Sequence, residues 1–123
     1  MKKCIIMSIF TSLLAIFGCS AQDFKSVDAE EFAREIANEN VLILDVRTAS
    51  EYAEGHIQGA VNIDVLASGF AERIATLDKA KTLAIYCRSG RRSKSAATQA
   101  VKQGFKVVEL DGGVLSWDGK LVR

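Results

Sequence analysis

Cys87 is followed without a break by Arg88, Ser89, Gly90, Arg91, Arg92 and Ser93. Cysteine is a nucleophile as its thiolate, and three arginines around a glycine that permits tight curvature make a loop suited to an anion. That anion is a thiolate, a persulfide or an anionic substrate resting against the backbone. A free thiol with a pKa of about 8.5 is only a few per cent ionised at pH 7, and lowering that value by about two pH units takes about 2.7 kcal/mol. A helix N-terminus supplies roughly 0.3 to 1 kcal/mol of it. Backbone hydrogen bonds to a charged sulfur, at about 1.5 to 3 kcal/mol each, furnish the remainder without an imidazole base. The alternative for Cys87 is a buried, inert thiol at a strand end. The electropositive setting favours the reactive reading. For the arginines singly the sequence leaves two roles open: Arg88 as the substrate-facing one, and Arg91 or Arg92 as exposed charges or internal ion-pair donors.

A loop of this kind needs elements to hold it. Thr82-Leu83-Ala84-Ile85-Tyr86 reads as a buried strand running straight into Cys87, and Ser93 reads as the cap of a helix with an inner stripe of Ala96, Ala97, Ala100 and Val101, closed by Gly104. Upstream, Asp28 caps a first helix with Glu31 as its capping-box partner and Val27 packed on Phe32; Phe32, Ala33 and Ile36 mark its buried face. Val41-Leu42-Ile43-Leu44 is a continuous apolar run, as in a parallel strand covered on both faces, and it ends in Asp45-Val46-Arg47. A short helical turn over 49–53 follows, ended by Gly55, then a strand over 61–63. Leu66, Phe70, Ile74 and Leu77 recur at helical spacing. Residues 106–110 give a further strand, Asp111-Gly112-Gly113 a turn, and 114–117 a last helical turn. Strand and helix alternate, which implies an α/β fold: a small parallel sheet with helices on both faces. In such sheets ligands collect at the carboxyl ends of the strands, where Cys87 falls.

The chain has 123 residues, room for one domain, which the sequence bounds at 27–123. Met1-Lys2-Lys3 and the apolar run from Ile5 to Phe17 have the outline of a signal peptide over 1–18. Its end, Ile16-Phe17-Gly18-Cys19, resembles a bacterial lipobox, so Cys19 is expected to be lipidated and 19–26 to form the lipidated N-terminus and tether. Buried acyl chains, at about 0.8 kcal/mol per methylene, would hold the domain on a membrane of the bacterial cell envelope, facing the periplasm. The alternative is a secreted leader cut near Ala21 that discards Cys19. Losing Lys2 and Lys3 takes the formal charge of +1 down by two to −1, which argues against nucleic-acid binding. With three cysteines (Cys4, Cys19, Cys87), no CxxC pair and His56 as the single histidine, neither a zinc site nor a disulfide framework is suggested, and no cofactor is expected.

Three blocks together resemble the rhodanese family. Asp45-Val46-Arg47 with Glu51-Tyr52 and Gly55-His56-Ile57-Gln58-Gly59-Ala60 with Asn62-Ile63 is similar to its first block; Cys87 to Ser93 is similar to its active-site loop; Gly104-Phe105, Leu110-Asp111-Gly112-Gly113 and Trp117 are similar to its closing block. The resemblance implies a sulfurtransferase in which Cys87 takes the outer sulfur of thiosulfate or a similar donor and passes it to cyanide or a thiol acceptor, a protein of the envelope among the candidates. It implies substrate-binding roles for Arg88, Ser89, Gly90, Arg91, Arg92 and Ser93, and supporting roles for Asp45, Arg47 and His56. Gln58 and the residue after Ile63 depart from a pattern that often has proline, at turns away from the sulfur.

Two other readings compete. Cysteine phosphatases of the related architecture place an arginine after five residues intervening from the cysteine, to clamp phosphate in a bidentate way. Here Ser93 occupies that position. The second is a binding module that carries a persulfide or senses redox state, with any disulfide necessarily intermolecular if Cys19 is lipidated.

Overall fold

The computed structural model describes residues 23–123; the expected leader over 1–18 and Cys19 lie outside them. Five parallel strands form the sheet: β1 (Lys25–Val27), β2 (Val41–Asp45), β4 (Val61–Asn62), β5 (Thr82–Tyr86) and β6 (Val107–Leu110). Their spatial order is β1-β6-β5-β2-β4, which puts β5 in the middle. A separate antiparallel pair joins β3 (His56–Ile57) to β7 (Leu121–Val122). The helices are α1 (Ala29–Ile36), α2 (Ala49–Glu54), α3 (Phe70–Ile74) and α4 (Arg91–Lys102), with a 3-10 turn at Gly113–Ser116.

The inner strands β2, β5 and β6 bury both faces, as the largely apolar sequences of such strands require. Leu44, Leu83, Ile85 and Val107 point to one side, where Phe70, Ile74, Ala96, Ala97 and Ala100 of α3 and α4 cover them. Ala84, Tyr86, Val108 and Leu110 point to the other, under Phe32 of α1. There Phe32 meets Tyr86 and Trp117 edge-on, at centroid distances of 6.4 and 6.1 Å. Cys87 continues the inward side of β5 and falls on the α4 face.

Four local expectations change. Lys25 and Ser26, read as tether, pair with Val108 and Glu109 in the edge strand β1, and Phe24 packs on the core. Asp28 does cap α1, accepting from the Glu31 N–H at 2.9 Å, but the Glu31 side chain turns to Arg34 instead of closing the box. The complete capping box is at Thr48 and Glu51, opening α2. Ala33 is exposed, the inner stripe of α1 being Ala29, Phe32 and Ile36. Leu66 is 73% exposed because α3 starts only at Phe70, after Gly69 turns the chain at φ 84°.

Candidate active site

Cys87 stands at the carboxyl end of the middle strand and is 1% exposed. The loop after it turns at Gly90, which caps α4 with φ 104°, a conformation glycine adopts without penalty. Helix α4 therefore begins at Arg91. Ser93, expected as its cap, is the third residue of the helix, fully buried, because the glycine turn brings the chain into helical geometry sooner. The first turn of α4 aims its unpaired N–H groups at the sulfur. The Gly90 N–H donates to Cys87 Sγ at 3.1 Å, and the thiol donates to Ser93 Oγ at 3.5 Å. Burial is the largest influence on this thiol and pushes its pKa up. Against it act the contact with the Ser93 side chain and the N–H groups of Ser93, Gly90 and Ser89, and the pKa lies below the ordinary cysteine value.

The turn after β6 buttresses this loop. Val114 N–H donates to the Cys87 carbonyl at 2.9 Å and Leu115 N–H to the Arg88 carbonyl at 3.1 Å. Gly113, at φ 63°, lies so close that a Cβ there would fall 2.3 Å from the Arg88 carbonyl oxygen.

The arginines separate. Arg88 and Arg91 are exposed and have no ion-pair partner among the described residues. Arg92 is half-buried and makes two hydrogen bonds to Glu51, at 2.8 and 3.0 Å. Those bonds are the main cause that pulls Glu51 down to about 2; burial opposes them, and the Thr48 N–H and hydroxyl add to them. Because the folded value lies below the unfolded one, the pair's contribution is whole above about pH 4.5 and is lost as pH falls towards 2. Glu51→Gln is expected to lose about 1 to 3 kcal/mol at pH 7, allowing for partial solvent screening. Urea denaturation should show that gap from the wild type narrowing below pH 4.5 and closing only below about pH 2.

Asp45, Arg47 and His56 are held away from the sulfur. Asp45 is fully buried on the opposite face of the sheet, where it accepts from the Arg47 N–H at 2.9 Å and from its guanidinium at 2.6 to 3.1 Å. Arg47 also donates to the Gly55 carbonyl at 2.7 Å and lies 5.5 Å from the centre of the Tyr86 ring. Burial acts against the Arg47 charge, but the bonds to Asp45 outweigh it and hold the pKa above the ordinary arginine value. His56 stacks flat on Tyr52 at 3.7 Å, and its Nδ1 donates to the Tyr52 carbonyl at 2.9 Å. Among the described contacts no hydrogen bond joins His56 to Cys87, so it is placed to brace the chain between α2 and β3.

The family model of the rhodanese-like domain matches residues 28–120. The chain belongs to that family. Curated relatives of this rhodanese domain include a sulfurtransferase of Allochromatium vinosum, 34% identical over 74% of this chain and 85% of its own length, and the thiosulfate sulfurtransferase GlpE of Stutzerimonas stutzeri, 36% identical over 77% and 85%. Among solved structures, a rhodanese-related protein from Thermoplasma volcanium superposes with a TM-score of 0.69 at 30% identity, over 80% of this chain and 98% of that one.

The rhodanese domain also contains site neighbours that the motifs did not single out. Glu109 is fully buried in β6, accepting from Ser26 Oγ at 2.6 Å, Ser93 Oγ at 2.5 Å and Lys94 Nζ at 3.3 Å. Lys94 is shared with Asp111 at 2.8 Å and with the Gly90 carbonyl at 3.2 Å. The signal was present as a carboxylate inside the apolar run Val107-Val108-Glu109-Leu110, where a charge must have a partner.

Proposed function

We propose that this rhodanese domain is a sulfurtransferase that moves sulfane sulfur from thiosulfate or a similar donor, through a persulfide on Cys87, to cyanide or a thiol acceptor. The observation that carries the reading is a cysteine sulfur placed at the end of the middle strand, inside a turn whose Gly90 N–H reaches it at 3.1 Å. The sulfurtransferase names of its relatives support it.

In the first half-reaction the Cys87 thiolate attacks the outer sulfur of thiosulfate. The bond between the two thiosulfate sulfurs breaks, sulfite leaves with the electron pair, and Cys87 keeps a persulfide anion. In the second, cyanide attacks the terminal sulfur, the persulfide S–S electron pair returns to Cys87, and thiocyanate leaves. Charge is conserved in each step, and ping-pong kinetics follow. Ser89, Gly90 and Ser93 hold the sulfur's charge through their N–H groups, while Arg88 and Arg91, exposed beside the loop, meet the anionic donor. Arg92 is engaged with Glu51 and stiffens the loop. Asp45, Arg47 and His56 hold the neighbouring chain in place.

The phosphatase alternative lacks its clamp. Ser93 stands at the position of the phosphate-binding arginine, and the buried Glu109 behind it adds negative charge where a phosphoryl group would need the opposite. Lipidation of Cys19 and a periplasm-facing envelope location remain part of the proposal on the strength of the sequence alone.

The deciding experiment is peptide mass spectrometry after incubation with thiosulfate. One sulfur is expected on the Cys87 peptide, removable by cyanide and absent from Cys87→Ser. An unmodified Cys87 that is instead recovered from cells in a mixed disulfide with another protein would replace transfer by the binding-module reading.

A further inference from the structure

Glu109 is a buried carboxylate that the transfer steps do not use, and it is one hydroxyl away from the sulfur. Its strand position puts it on the same side of the sheet as Val107, facing α4. Three groups donate to it: Ser26 from the edge strand, Lys94 and Ser93 from α4. The Ser93 bond is the shortest of them, at 2.5 Å. On its other side, Ser93 Oγ receives the Cys87 thiol at 3.5 Å.

A serine hydroxyl has a single proton to donate. It serves the Glu109 carboxylate or a Cys87 anion, not both at once. In the resting chain the bonds run in one direction, from thiol to hydroxyl to carboxylate, with every proton placed. We propose that Glu109 is a positioning residue: while charged it fixes the direction of the Ser93 hydroxyl and withholds its proton from the Cys87 sulfur. The thiolate is then held by loop amides alone. Neutralising Glu109 turns the hydroxyl round and gives the sulfur an additional donor. The inference concerns the charge on Cys87 and rests on the sulfur-transfer reading only for the use to which that charge is put.

Other charged groups bear on this trio. Arg91, Arg92 and Lys94 lie on α4 and Arg88 in the loop, Asp111 after β6 is reached through Lys94, and Glu51 and Asp64 through Arg92. The test leaves all of them in place. The rate of Cys87 alkylation by iodoacetamide is followed against pH in the full chain, by mass spectrometry of the Cys87 peptide, which separates it from Cys4 and Cys19. Glu109→Gln is expected to move the midpoint to lower pH by about one unit or more, so that alkylation well below the midpoint is about tenfold faster. In a Ser93→Ala background the same Glu109→Gln change should move the midpoint by less than about 0.3 pH units. Ser93→Ala alone should leave the midpoint no higher than in the wild type.

Three results overturn the proposal. An unmoved midpoint in Glu109→Gln makes Glu109 merely structural. A shift that persists without the Ser93 hydroxyl means the carboxylate acts through space. A midpoint raised by Ser93→Ala alone means that the hydroxyl already donates to sulfur, and this variant keeps the idea open to refutation should Glu109→Gln fail to fold. Because alkylation needs neither donor nor acceptor, failure here is separable from failure to form a persulfide.

Discussion

Gly113→Ala is expected to lower kcat/KM for thiosulfate by about 100-fold and to reduce stability by about 2 to 4 kcal/mol. The added methyl group would lie 2.3 Å from the Arg88 carbonyl oxygen, 2.4 Å from its carbon and 2.6 Å from the Ser89 nitrogen. All three are backbone atoms of the loop that surrounds the sulfur, so no side chain can rotate out of the way. The φ of 63° adds the strain of a left-handed β-carbon, roughly 1 to 2 kcal/mol. Relief requires the loop and the turn to separate, which stretches the Val114 to Cys87 bond and displaces the amides that face Sγ. Gly59→Ala is the matching control. Its φ of 89° carries similar strain, but a Cβ there meets nothing within 4 Å, so stability should fall modestly and kcat/KM should hold. Equal activity losses in both variants, measured by thiocyanate formation, would refute a specific buttress at Gly113.

Arg47→Ala is expected to remove about 3 to 5 kcal/mol of stability, as breaking a buried ion pair by deleting one partner generally does. Asp45 is fully buried, and without the guanidinium it loses three of its hydrogen bonds while the residue 47 N–H stays. The same change frees the Gly55 carbonyl and uncovers the Tyr86 ring, whose hydroxyl accepts from the Ile57 N–H at 3.0 Å and so ties β3 to the sheet. Arg47→Lys keeps a charge but not the fork that serves Asp45 and Gly55 together, and should fall between wild type and alanine. Urea denaturation gives the stabilities, and activity per folded molecule gives the role. Near-normal activity in the surviving folded fraction is expected. A variant of unchanged stability and no activity would instead put Arg47 in the reaction.

Much of this arrangement was legible in the sequence, for reasons that differ from place to place. The strands at Val41–Asp45 and Thr82–Tyr86 announced themselves because buried parallel strands need apolar residues on both faces. Cys87 was legible because the run into it and the glycine after it left little choice but a strand end followed by a tight loop. Ser93 was placed in the right neighbourhood with the wrong local role, since both a cap and a buried N3 residue favour a small hydroxyl side chain and only the backbone angle of Gly90 separates them. The Glu31 box failed for a competing ion pair with Arg34, which no spacing rule weighs against a backbone N–H. Leu66 followed a helical period that the chain does not sustain, because Gly69 interrupts it. The partition of the arginines depended on Glu51, a residue 41 positions away whose approach only the folded chain reveals. Glu109 belongs to the same class: its sequence context demanded partners, but Ser26, Ser93 and Lys94 come from two other elements.

The connectivity of the sheet has a kinetic consequence. Among the described residues every pairing in it is parallel, so no two of these strands are joined by a tight hairpin that can zip up first, and even the antiparallel pair brings residues 56–57 to 121–122. The nascent chain must close long loops, at an entropic penalty, before the contacts that reward closure exist. Such connectivity slows folding for a chain of this length, because Val41–Asp45 has to find Thr82–Tyr86 across the intervening helices.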